Sequence, residues 1–151
     1  MRSSAGILLW RRGPGGIEVL LGHMGGPFWA RKDDGGWSIP KGGQGPDEEP
    51  VDVARREFEE ELGSPPPDGL VPLGEHRVAR GKVLAVWAVE GDLDAAACTS
   101  NTFPLEWPPR SGRVQEFPEI DRAAWFPLDE ARSKLVAGQV PFLDRLLERL
   151  G

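Results

Sequence analysis

Apolar and polar positions change rhythm several times along the chain, and each change predicts an element. Residues 5–10 and 17–22 are two apolar stretches joined by Arg-Arg-Gly-Pro-Gly-Gly. The glycines and proline between them demand a turn, so the pair reads as a β-hairpin. Residues 24–45 are glycine-rich, with aromatic and basic residues scattered between. That composition suits a long shaped loop around a short strand at Trp37–Ile39. A helix follows. Pro50 fits its first position, Asp47, Glu48 and Glu49 favour its N-terminus, and Gly63 with Ser-Pro-Pro-Pro behind it stops it. Val51, Ala54, Phe58 and Leu62 recur at spacings of three and four and form the expected buried stripe, which leaves Glu57, Glu60 and Glu61 facing outward.

Two strands are expected at residues 70–78 and 82–90. The second alternates less and so belongs in the centre of a sheet. Residues 91–122 read as irregular, a length that points to a functional loop. A last strand at Ala123–Phe126 and helices at about 128–136 and 142–150 complete the pattern. The economical architecture is α/β, a mixed sheet with helices on both faces.

Composition narrows what such a fold would serve. The length of 151 residues suits a single domain. A net charge of -6 argues against a nucleic-acid polymer or an anionic membrane as partner, but leaves room for a small phosphorylated ligand held through metal ions. Cys98 is the only cysteine, so no intrachain disulfide can form and a reducing, cytoplasmic setting is expected. The longest apolar run, Val83–Val89, is far short of a membrane span.

One stretch breaks local rules. Arg55–Gly63 reads RREFEEELG and puts Glu57, Glu59, Glu60 and Glu61 near the C-terminal end of the helix. The helix end itself carries partial negative charge there. Glu57 and Glu61 also face each other at i and i+4, a repulsion that costs a few tenths of a kcal/mol. Such violations concentrate at functional places, and a bound cation is the simplest relief.

Counting outward from these acids gives Gly42, five residues, Glu48, seven residues, then Arg-Glu-Phe-X-Glu-Glu-X-Gly over 56–63. The pattern resembles the Nudix box GX5EX7REUXEEXGU of the Nudix (MutT-like) hydrolase family, departing from it only at Ser64, where a bulky apolar residue is usual. The resemblance implies the Nudix-type α/β/α sandwich and a Mg2+-dependent pyrophosphohydrolase, with Mn2+ a possible substitute. It implies that Glu57, Glu60 and Glu61 with the Gly42 carbonyl hold metal, that Arg56 orients the glutamates, and that these four side chains are the catalytic set. Glu48 is expected to support the loop and Glu59 to be solvated. The family often adds an acid from a later loop, for which Glu119 and Glu116 stand in the right region, Glu119 being the assigned ligand. Hard divalent cations with oxygen ligands suit this chemistry because they neutralise charge on phosphate oxygens and acidify water.

For the rest of the substrate, Lys41 in Pro-Lys-Gly-Gly and Lys82 are candidates for phosphate. Phe28, Trp29, Trp37 and Trp107 lie in loop-rich stretches where a base could stack. Trp10, Trp87 and Trp125 fall in expected strands and read as core, and His23 and His76 read as structural. The expected substrate is a nucleoside triphosphate or a dinucleoside polyphosphate, turned over by a monomer or homodimer. Two other readings remain open: a catalytically silent Nudix-fold nucleotide sensor, and a domain whose acidic helix docks on a basic partner.

Overall fold

The computed structural model describes residues 2–151. Its centre is strand β1 (Arg2–Gly13), which turns into β2 (Gly16–Met24) through the anticipated hairpin, with Gly13 opposite Gly16. β1 also runs parallel to β6 (Lys82–Glu90) over nine register pairs, and β6 is antiparallel to β5 (Val71–Ala79). On the other side β2 carries β3 (Trp37–Ser38) and β9 (Ile120–Pro127), both antiparallel. A three-residue strand, β4 (Lys41–Gly43), pairs with the start of β1. The result is a seven-stranded mixed sheet.

β1 is apolar without a break because both of its faces are covered. Ala5, Ile7 and Leu9 point to one side and pack with Val53, Ala54, Phe58 and Leu62 of α1 (Pro50–Leu62). Leu8 and Trp10 point to the other and join Ala131 and Leu135 at α2 (Leu128–Lys134) and Phe142, Leu143 and Leu146 of α3 (Pro141–Leu150). Alternation along a strand assigns successive side chains to opposite faces, so one strand feeds two cores and the layers are helix, sheet, helix. β6 is central, as its weak alternation predicted.

Two expectations need correcting. Residues 91–122 are not irregular: β7 (Thr102–Glu106) and β8 (Val114–Pro118) form a separate antiparallel hairpin. Its prolines and exposed polar positions hid the strand period, because an outlying ribbon has no buried face to impose alternation. The helix stripe is also shifted. Val53 is fully buried and Val51 only half-buried. The true helix face has two adjacent rows, Ala54-Phe58-Leu62 and Val53-Glu57-Glu61, and the second turns from apolar to acidic as the helix proceeds.

The segment entering α1 is fixed from beneath by a buried amide. Gln139 accepts from the Ile39 amide at 2.8 Å and donates to Ser38 Oγ at 3.0 Å. α1 then begins at Pro50 and ends at Gly63, whose φ of 81° lets its amide close back on Glu59. No basic residue lies in its last turn.

Candidate active site

α1 does not turn all its acids to solvent, as the sequence suggested. Glu61 is 7% exposed and Glu57 is half-buried, because the row they occupy runs along the contact of the helix with the sheet. Glu60 lies at the rim and Glu59 is exposed. Burial, reinforced by the neighbouring Glu57 carboxylate, pushes the Glu61 carboxyl up to about 8, while Lys41, through both its charge and its amide, pulls the other way. Burial also raises Glu57, with Glu60 adding to the effect and Arg56 opposing it. A carboxyl that burial and like charge hold protonated is one that a cation would ionise.

Arg56 spans the acids. It pairs with Glu48 and stands 3.6 Å from Glu57 and 3.6 Å from Glu60. Glu48 in turn accepts from the Gly45 amide at 2.8 Å, so the loop before α1 is tied to the arginine that faces the glutamates. The arginine's hydrogen bond, followed by the Gly45 amide, holds Glu48 below the usual carboxylate range. Gly42 makes room for this cluster: a Cβ there would lie 2.0 Å from the Glu57 carboxyl carbon. Only a bare backbone lets that carboxylate approach β4.

Glu119 enters from the other side. It lines a cavity of about 180 Å³ with Glu61, Lys41, Trp29, Ser38 and Phe103, and its charge bears on both Glu57 and Glu61. Its position is set by main chain. The Asn101 amide donates to the Glu60 carbonyl at 2.9 Å, and the Asn101 carbonyl accepts from the Glu119 amide at 2.9 Å. One residue thereby clasps the end of α1 to the start of β9. Glu116 sits on β8 opposite Pro104 and does not line the cavity.

The donors around this cavity are carboxylate and carbonyl oxygens, the ligands that hard divalent cations take. The enclosed Glu61 carboxyl and Glu119 on the same cavity fit such an ion. Among the described residues no three carboxyl, imidazole or thiol groups are already drawn together as a coordinating cluster. Arg56 stands against Glu57 and Glu60, so side-chain rotation would have to gather the acids around an ion.

The remaining sequence candidates divide. Trp29 lines the cavity, and Lys32 Nζ lies 5.3 Å from its ring centroid. Phe28, 69% exposed, meets Trp107 edge-on at 5.3 Å, forming an aromatic pair between the long loop and the β7–β8 hairpin, outside the cavity lining. Lys82 lies in a neighbouring cleft with Lys41. Trp37 is not available to a base: it is 3% exposed, packed edge-on against His23 and Phe126, and its indole donates to Asp33 at 2.9 Å. The short strand at Trp37 was expected, but its glycine-rich flanks had suggested a ring open to a ligand. His23 is fully buried between Asp121 and the Lys32 carbonyl. Trp10 is buried, and Trp87 and Trp125 pack half-buried against the core. Phe103 and Asn101 were missed, since their place at the site comes from a hairpin with no readable period.

The sandwich and the acid-bearing helix define a NUDIX domain: that family matches residues 1–146, and the chain belongs to it. No curated protein sequence matches the chain. Among solved structures, a C. elegans Ap4A hydrolase in a binary complex is similar at 23% identity and TM-score 0.65, covering 99% of this chain and 98% of that one. The NUDIX domain of Shewanella oneidensis NrtR complexed with ADP ribose is similar at 18% identity and TM-score 0.67, covering 99% and 88%. A Nudix hydrolase from M. smegmatis, RenU, is similar at 24% identity and TM-score 0.61, covering 98% and 84%. At these identities the likeness is one of fold. No helix among the described residues is long and apolar enough to cross a membrane.

Proposed function

We propose that the chain is a Mg2+-dependent hydrolase of a phosphoanhydride bond in a nucleoside diphosphate linked to a further group, with a nucleoside triphosphate or dinucleoside polyphosphate as substrate. The observation that carries this reading is the set of carboxylates at the α1 end: Glu61 enclosed, Glu57 against Gly42, Glu60 at the rim and Glu119 opposite. Glu57, Glu60, Glu61, the Gly42 carbonyl and Glu119 would hold Mg2+, or Mn2+ in its place. When bound, the ion supplies positive charge to phosphate oxygens and makes water more acidic.

The chain's own groups have separate tasks. Water attacks phosphorus, the P–O bond to the leaving phosphate breaks, and the water's proton passes to Glu60, at the end of α1, or to Glu119, which lines the cavity. Glu61 is too enclosed for that exchange and serves to hold charge. Arg56 keeps Glu57 and Glu60 oriented through charge-assisted contacts. Trp29 in the cavity and the Phe28–Trp107 pair offer faces on which a base can stack.

The similar solved structures, an Ap4A hydrolase and a domain complexed with ADP ribose, support a nucleotide ligand, and the second of them makes a sensor without turnover the second reading. The full set of acids in the box speaks for catalysis, because a domain that only binds has no need of all of them. The test incubates the protein with Mg2+ and ATP, 8-oxo-dGTP, diadenosine tetraphosphate, ADP-ribose and NADH, and identifies products. Turnover of a phosphoanhydride substrate is expected. Tight binding with no product would establish the sensor instead, and neither binding nor product would leave the docking domain.

A further inference from the structure

The proposed reaction makes no use of His23, a polar ring that the fold encloses completely. Burying an imidazole is unfavourable unless both of its nitrogens find partners. Both do. Nδ1 stands 2.8 Å from the Asp121 carboxylate and Nε2 2.5 Å from the Lys32 carbonyl. A carboxylate and a carbonyl both accept, so each ring nitrogen donates.

Strand geometry aims the first partner. His23 lies on β2 between β3 and β9, opposite Trp37 on one side and Arg122 on the other. The β2–β9 register then slips between His23 and Met24, which leaves Asp121 as an extra residue on β9. A bulge of this kind re-aims a side chain, and here it turns Asp121 onto the ring. Asp121 follows Glu119 by two positions, so His23 is tied to the chain that brings Glu119 into the acidic cavity.

The second partner lies in the long loop. The end of that loop is held to the body of the protein: Asp33 accepts from the Trp37 indole, Lys134 pairs with Asp33 and Asp34, and the Gly35 amide donates to the Ser133 carbonyl. At its start the Gly25 amide donates to the Glu119 carbonyl. Between these anchors the Trp29 amide bonds to the Gly26 carbonyl and the Lys32 amide to the Trp29 carbonyl, which folds the stretch on itself without fixing it to anything else. Among the described residues, the hydrogen bond from His23 to Lys32 is the one that joins this middle stretch, and with it the Trp29 ring, to the sheet.

We propose that His23 is a positioning residue: by joining Asp121 to Lys32 it holds the middle of the loop so that Trp29 stands in the cavity of Glu61 and Glu119. That Trp29 meets a nucleotide there rests on the function proposed above; the pinning of the loop does not.

Two readouts on the full chain test this. Arg31 and Lys32 are exposed trypsin sites within the pinned stretch. Brief digestion of the native protein, with the products weighed by mass spectrometry, reads the rate of nicking after those two residues. His23→Gln, which reaches one partner but not both, should raise that rate about tenfold or more, because cleavage follows local opening. Asp121→Ala removes only the ring's other partner, on a partly exposed side chain, and should act in the same direction, so it carries the test if His23→Gln does not fold. Circular dichroism melts identify the variants that fold. Equal nicking rates in the parent and the folded variants overturn the pinning. The second readout is kinetic, with the best substrate of the panel. A folded variant should raise KM about fivefold or more and keep kcat within about twofold, as a displaced stacking face would. The same change made in Trp29→Ala should leave KM where that variant already has it, since a ring that is gone cannot be displaced. An unchanged KM, or an equal rise with and without Trp29, overturns the positioning of Trp29. A chain that turns over nothing loses the proposed function, and the nicking rates alone then uphold or overturn the pin.

Discussion

Two spaces flank β4, and each gathers like charge. On one side the carboxylates are partly or wholly buried at the seam of α1 and the sheet. On the other the cations of the Arg2–Lys82 pair stand exposed at the first residues of two inner strands. The difference in burial sets the energetics. Water screens the cations, so their repulsion costs little. The enclosed carboxyl of Glu61 has no such relief and answers by keeping its proton, with an ionisation pushed up to about 8. A buried charge cluster thus relieves its repulsion by shifting its own ionisation, and an exposed one is relieved by water.

The comparison breaks first at the carboxylates. Glu60→Gln or Glu61→Gln should lower kcat by about 100-fold or more while the circular dichroism spectrum stays that of the parent, since each change is isosteric and removes one charge. Steady-state rates with the best substrate of the panel check this, and activity within about twofold of the parent removes that glutamate from the mechanism.

The second way to sharpen it is pH. Glu61 has a folded ionisation near 8 against an ordinary value of 4.5. Between those values the folded chain holds a proton that the unfolded chain has lost, so rising pH favours unfolding. Stability of the metal-free protein should therefore fall as pH rises from about 4.5 to 8, by an amount on the order of 5 kcal/mol. Urea melts in EDTA across that window measure it. Glu61→Gln should flatten the profile; a parent profile already flat would show that Glu61 ionises freely without metal.

The smallest effect lies outside both spaces. Phe28→Ala removes one ring of the exposed Phe28–Trp107 pair and should raise KM about fivefold or more with little change in kcat or melting temperature, the signature of a lost stacking face. An unchanged KM would assign the pair to holding the hairpin in place.

What the sequence disclosed follows from where the constraint lies. The spacing from Gly42 to Gly63 was readable because a helix converts fixed spacing into a fixed arrangement of side chains, and Gly42, Glu48, Arg56 and Glu57 do meet. β1, β2 and β6 were readable because burial on both faces writes an unbroken apolar run. The direction of Glu61 was not, since a carboxylate in a buried row looks the same in sequence as one on a solvated face. Arg2 gave no signal at all: its place beside Lys82, some eighty positions on, comes only from parallel register. Trp37 misled for the opposite reason, a core residue set among loop glycines.

The clasp at Asn101 uses an amide and a carbonyl that any amino acid except proline would provide. Thr102–Pro118 is consequently a detachable ribbon closed at its base by main chain. It could be lengthened, shortened or replaced by another hairpin without dislodging Glu119, and it carries Phe103 and Phe117 as well as the connection bearing Trp107. Changes confined to this segment would alter one wall of the cavity, at Phe103, while leaving the acids of α1 in place.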